Sequence, residues 1–226
     1  MASRLVDMVH FTSPILENNE LMRVRAKAKF WDGIVVSYDE VDHYIEEDDA
    51  ILIGPGMERG ETTQKIVNDL LAKYPNKKWI VDGGALQKVD PTLLTSNMII
   101  TPNQKELSLL KNKLTTNNLL PCTILAKGPV DTITESTESI VVTGGSPGLT
   151  KGGTGDVLAG LVLGLTAKSP THASCVVASH CLKVASENLS QTTGPFFSPT
   201  DLIKQIPQTL NTLLKSQLLP PYPQNN

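Results

Sequence analysis

Residues 143–165 read TGGSPGLTKGGTGDVLAGLVLGL, a glycine-dense loop that runs straight into an apolar helix. Gly152, Gly153 and Gly155 allow the backbone to turn successive N–H groups toward one point, and the helix that follows adds the positive end of its dipole. An anion is the expected occupant. Ala159, Gly160, Leu161 and Gly164 give that helix a small, apolar surface suited to close packing. Asp156 falls in its first turn and supports two readings: a favourable charge at a helix start, or a base that takes a proton beside a bound phosphate. A Walker A loop is excluded, because Gly-Lys-Thr/Ser does not follow the glycines.

Outward from this loop, short aliphatic runs alternate with longer amphipathic ones, the pattern of an α/β protein with a largely parallel sheet. The expected strands are Val6–Thr12, Ile34–Ser37, Ala50–Ile53, Trp79–Val81, Met98–Ile100 and Thr123–Ala126. Several are continuous apolar runs, as strands covered on both faces must be. Helices are expected over Glu61–Lys73, Pro102–Lys113, Gly153–Lys168 and Thr171–Leu189, with Pro170 separating the last two. Thr132–Glu135 and Ser139–Val142 read as an antiparallel hairpin. Ser198 is the expected cap of a final helix, Pro199–Leu214, and Leu218–Asn226 reads as an unstructured tail. With no repeat and no low-complexity linker, the reading is one α/β domain over residues 1–215, with 216–226 as tail.

Composition narrows the function. The chain has 226 residues, a formal charge of −3 and 4% aromatics, so Leu, Ile, Val and Ala must build the core. No basic stretch offers the clustered Lys and Arg that a nucleic-acid binder uses to displace counterions. No apolar run reaches a membrane-spanning length, and Asp7 interrupts the start where a signal peptide would stay apolar, so a cytoplasmic protein is expected. Cys122, Cys175 and Cys181 have neither disulfide-framework nor zinc spacing, and read as small buried residues.

The GGTGD segment, followed by VLAG, resembles the anion-hole and catalytic-aspartate motif of ribokinase-like enzymes, in particular the ADP-dependent NAD(P)H-hydrate dehydratase family. Four further segments occur in that family's order. ILIGPGM (51–57) is similar to its strand and Gly-Pro-Gly turn, and VDGGAL (81–86) to a motif usually written Asp-Ala-Asp-Ala-Leu, from which Gly83 and Gly84 depart. ITPNQKEL (100–107) resembles the Thr-Pro-x-x-x-Glu element, with Asn103 where many members have His, and LAKGPV (125–130) the Lys-Gly loop along the nucleotide. GPG alone is a turn signal and TP alone ordinary helix punctuation, but five segments in order, each at a strand's carboxyl end where open α/β sheets bind ligands, carry the resemblance together.

The resemblance implies a three-layer ribokinase-like fold, with a central, largely parallel sheet and helices on both faces. It also implies an activity, a carbon–oxygen lyase reaction that repairs hydrated NADH or NADPH. ADP, with ATP as the alternative, phosphorylates the hydroxyl of the hydrate, and phosphate is then eliminated. Asp156 is then the base, and Gly153, Thr154 and Gly155 form the anion hole. Lys127, Gly128, Pro129, Val130, Asp131 and Gly155 line the nucleotide, while Gly56, Asn103 and Asp156 face the hydrate. Asn103 to Glu106 has the N-x-x-E spacing that ribokinase-like enzymes use near magnesium, so Glu106 either holds Mg²⁺ through water or serves the helix dipole. Lys151 reads as a phosphate partner or as a solvated lysine. A homo-oligomer is implied as well. The family's first βα unit, with its Gly-Gly-Ser loop, precedes the strand that Arg4-Leu5-Val6-Asp7 resembles and is not found in this sequence. Truncation, or compensation by a neighbouring subunit, is the expectation. Two other functions share these residues: a kinase acting on a hydroxymethylpyrimidine-type alcohol, and a non-catalytic nucleotide-binding protein.

Overall fold

The computed structural model of the protein describes residues 1–29, 33–114 and 119–216. Two short strands, β1 (His10–Phe11) and β2 (Ile34–Val35), pair in parallel as a separate small sheet. Between them runs α1 (Leu16–Lys29), and α2 (Val41–Glu47) follows. The strand expected over Val6–Thr12 is thus reduced to His10–Phe11 and lies outside the main sheet, with Met8 exposed instead of buried. Neither α1 nor α2 follows from the sequence pattern. In α1, Leu16, Leu21 and Val24 are exposed, so no apolar stripe marks it as a core-facing helix.

The main sheet has six strands in chain order: β3 (Ala50–Ile53), β4 (Lys78–Val81), β5 (Ile99–Ile100), β6 (Thr123–Ala126), β7 (Asp131–Glu135) and β8 (Glu138–Val142). The first four are parallel; β7 and β8 form the expected antiparallel hairpin. Because β7 reverses and β8 reverses again, β8 ends on the same edge as β3 to β6. Crossover helices α3 (Glu61–Lys73), α4 (Gly83–Lys88) and α5 (Gln104–Lys111) connect the parallel strands, as parallel pairing requires. The chain ends with α6 (Thr154–Thr166), α7 (Thr171–Thr193) and α8 (Pro199–Lys215). Of the expected tail, 216–226, Ser216 is the C-cap of α8 and residues 217–226 fall outside the described residues.

Alternation along the strands explains the three layers. Ile80, Ile99, Leu125 and Ile133 join one core with Leu158, Leu161, Cys181 and Leu202 from α6, α7 and α8. Their neighbours Trp79, Val81, Ile100 and Ile124 point the other way, into a core with Val67, Leu71, Leu86 and Leu110 from α3, α4 and α5. Strands buried on both faces lose the polar alternation of a half-solvated sheet, which is why they are continuous apolar runs in the sequence. All three cysteines are buried thiols, and burial pushes Cys122 and Cys181 up to about 12. Among the described residues, no helix is long and apolar enough to cross a membrane.

Local chemistry fixes where the helices start. Asn103 caps α5 by accepting the Glu106 N–H, and Glu106 reaches back to the Asn103 N–H, a reciprocal capping box. Ser198 caps α8 in the same way with Asp201. Gly153, at φ +92°, caps α6 in the left-handed region, a conformation that costs glycine nothing.

Candidate active site

The carboxyl edge of the sheet carries every segment singled out in the sequence. The loop from β8 enters α6 through Lys151-Gly152-Gly153, and Thr154 folds it back: its buried hydroxyl donates to Leu149 O at 2.6 Å and Lys151 O at 2.8 Å. The N–H groups of Gly155 and Asp156 have no backbone acceptor among the described residues, leaving them free for an anion at the positive end of the helix. Lys127, at the end of β6, supplies a cation there. A Cβ added at Gly155 would lie only 3.4 Å from its Nζ, so glycine lets the ammonium approach the first helical turn.

Lys127 also joins a polar chain that the motif reading left out. Its Nζ lies 2.8 Å from Asp82 Oδ1, and the Thr101 hydroxyl donates to the same oxygen at 2.7 Å. Asp82 is buried at the end of β4. Burial pushes the Asp156 carboxyl up from its ordinary range, the Asp82 charge pushes it further, and Lys127 opposes both. A carboxyl raised in this way binds a proton more readily near neutral pH, as a general base requires. The VDGGAL segment held the signal for Asp82, a lone carboxylate at a strand's carboxyl end.

The turns after β3 and β4 are built differently. The turn after β3 rests backbone to backbone on the turn after β4: the Gly84 N–H donates to Gly54 O at 3.2 Å. A Cβ at Gly54 would lie 1.8 Å from Asp82 O, and one at Gly84 2.1 Å from Met57 O. This close approach gives the Gly83-Gly84 departure from Asp-Ala-Asp-Ala-Leu a steric cause, because no side chain fits at position 84. Gly56, by contrast, is exposed at φ +75° with nothing within 4 Å of an added Cβ, so it borders open space. Asn103 stands beside Lys127 through a parallel bridge, with the Lys127 N–H donating to Pro102 O at 2.7 Å.

Other candidates are held in structural contacts. Glu106 spends one oxygen on the Asn103 N–H and the other on Gln87 Nε2, each at 3.0 Å, so the capping role is occupied. Among the described residues no group of three or more His, Cys, Asp or Glu could form a metal cage. Asp131 is buried; one oxygen accepts the Gly128 N–H at 2.8 Å and the other the Ser179 hydroxyl at 2.7 Å. It shapes the 127–131 loop from beneath, leaving Pro129 and Val130 exposed. Lys151 stays exposed while its Nζ donates to Pro195 O at 2.5 Å and Phe197 O at 2.7 Å, which ties the glycine loop to the segment leading into α8. Lys183, in α7, went unnoticed in the sequence, where a lysine inside an apolar helix carries no motif. Its buried ammonium reaches the carbonyls of Pro129 and Gly144.

The NAD(P)H-hydrate dehydratase family model matches residues 6–208. A bifunctional NAD(P)H-hydrate repair enzyme of Methanocaldococcus jannaschii is 32% identical over 184 residues, covering 79% of this chain and 37% of that protein. An ADP-dependent (S)-NAD(P)H-hydrate dehydratase of Enterococcus faecalis is 31% identical over 208 residues, covering 84% of this chain and 70% of its own. Among solved structures, a ribokinase-like superfamily protein of E. faecalis superposes with a TM-score of 0.76 at 25% identity, over 93% of this chain and 80% of that one. A Bacillus subtilis ADP/ATP-dependent NAD(P)H-hydrate dehydratase, co-crystallised with ATP/Mg²⁺, gives 0.68 at 20% identity, over 86% and 76%, a likeness of fold. The expected ribokinase-like fold is therefore the observed one. The chain spans little more than a third of the length of the bifunctional relatives, 37% of the M. jannaschii protein.

Proposed function

Because the chain belongs to the NAD(P)H-hydrate dehydratase family, we propose that it dehydrates hydrated NADH or NADPH at the expense of ADP. The observation that carries this reading is Asp156: a half-buried carboxyl, raised from its ordinary range, in the first turn of α6 beside free N–H groups and the Lys127 ammonium.

In the proposed reaction Asp156 takes the proton of the hydrate's hydroxyl as that oxygen attacks the terminal phosphorus of ADP. The O–P bond forms, the bridging P–O bond breaks and AMP leaves. Phosphate then departs with the former hydroxyl oxygen, a neighbouring ring proton is lost, and the double bond of the reduced nicotinamide returns. The N–H groups of Gly155 and Asp156, in the hole formed by Gly153, Thr154 and Gly155, hold the phosphoryl oxygens as charge spreads over them. Lys127, paired with Asp82, adds an ammonium at that point, and Gly128, Pro129, Val130 and Asp131 form the loop along the nucleotide. Gly56 and Asn103 border the hydrate. Most of the rate comes from positioning, because the protein forms no bond to either reactant.

Magnesium fits at Glu106 through water. Each Glu106 oxygen already accepts one hydrogen bond and keeps a further lone pair, so the carboxylate can receive a metal-bound water without opening the capping box. The ion would neutralise charge on the nucleotide phosphates. Three buried, unpaired thiols agree with a reducing cytoplasm.

The test is to add ADP and magnesium to hydrated NADH with the protein and follow the return of reduced-nicotinamide absorbance. The reading predicts ADP-dependent recovery with release of AMP and phosphate. Phosphorylation of a hydroxymethylpyrimidine by ATP, without such recovery, would assign the site to an alcohol kinase. ADP binding with no turnover of either substrate would make it a binding module.

A further inference from the structure

Lys183 lies on α7, away from every motif, with a side chain 4% exposed. Taking an ammonium out of water costs several kcal/mol unless it is surrounded by acceptors. Here four surround it. The Nζ donates to Pro129 O at 3.1 Å, Gly144 O at 3.3 Å and Gly128 O at 3.5 Å, and lies 3.7 Å from the buried Asp131 Oδ1. Gly128 and Pro129 belong to the loop between β6 and β7, Asp131 opens β7 directly after it, and Gly144 belongs to the loop that runs from β8 into α6. The stem fills the space that Gly145 leaves, since a Cβ there would come within 3.2 Å of Lys183 Cγ. One side chain thus staples the loop after Lys127 to the loop that leads to Gly153.

We infer that Lys183 is a positioning residue that sets the spacing of these two loops and thereby the affinity for the adenine nucleotide. The inference rests on the nucleotide use proposed above. Lys183→Met keeps the stem and removes the ammonium, while leaving Asp131 buried without its counter-charge. The double variant Asp131→Asn/Lys183→Met removes both charges and guards against misfolding.

The experiment measures ADP binding by calorimetry and steady-state kinetics for wild type and both variants. In the folded variants the ADP dissociation constant and the KM for ADP should rise by about tenfold to a hundredfold, the scale of an ångström-level misplacement. The KM for the hydrate should not move. A purely structural lesion would instead lower the active fraction and leave both KM values in place. Unchanged ADP affinity in a folded variant overturns the inference, as does failure of both variants to fold, which would make Lys183 a stability residue. Absence of ADP binding by the wild type overturns the nucleotide reading itself.

Discussion

The loop that enters α6 and the turn that leaves β3 both sit on the carboxyl edge of the sheet, yet they are held by opposite means. Around α6, side chains bind main chain: Thr154 to Leu149 and Lys151, Lys183 to Pro129 and Gly144, and the Gly145 N–H to Glu187 Oε1 at 2.6 Å. At Gly54–Met57 the contact is backbone on backbone, and glycines make it by having no side chain. An anion hole has to present several N–H groups at fixed spacing, and directional hydrogen bonds fix spacing. The turn proposed to border the hydrate instead lies close through its backbone, and a Cβ at Gly56 would meet nothing within 4 Å. The first region is sensitive to losing atoms and the second to gaining them.

Substitutions in the two regions should therefore fail in different ways. Gly54→Ala should have the largest effect, because its Cβ would overlap Asp82 O at a φ of +117°: a loss of more than about 3 kcal/mol in denaturant unfolding, or no folded protein. Thr154→Val keeps the shape but removes both hydroxyl bonds of the anion loop, and should cost about 1 to 3 kcal/mol on the same measurement. Gly56→Ala meets nothing within 4 Å and bears only its left-handed φ, about 1 to 2 kcal/mol. If Gly54→Ala and Gly56→Ala proved equally costly, the steric distinction drawn at this turn would be wrong.

The smallest effect has the opposite sign. The folded state raises the Asp156 carboxyl above its ordinary range, so the folded protein binds that proton more tightly than the unfolded chain. The resulting stability is full below the ordinary carboxylate range and is lost as pH rises through the raised value. Asp156→Asn should thus be slightly more stable than wild type near neutral pH, with the advantage vanishing in acid, as melting temperatures at the two pH values would show. With Asp156 as the proposed base, activity should also fall on the acid limb at a pH above that of an ordinary aspartate.

Much of this was legible in the sequence because the physics was local. β3 to β6 are apolar runs bounded by turns, and the helix starts at Ser198 and Thr171 carry their own punctuation. The GGTGD loop was equally plain, since few other arrangements of glycine, threonine and aspartate precede an apolar helix. What escaped depends on tertiary placement. Val6–Thr12 has the composition of a strand but pairs over two residues only, outside the main sheet. The Pro195 and Phe197 carbonyls that accept from Lys151 lie 44 and 46 residues away in sequence, beyond any local pattern. Asp82 acts through partners 19 and 45 residues away in sequence and Lys183 through partners 39 or more away, and no spacing rule encodes such pairs.

Asp156 carries the proposed chemistry. With Asp156→Asn, ADP binding and the initial rate of hydrated-NADH recovery should be measured on the same preparation. Retained ADP affinity with a rate reduced by a factor of about 10² to 10⁴ is the predicted result, the usual contribution of a positioned base. A variant that binds ADP and still restores reduced nicotinamide at the wild-type rate would contradict it.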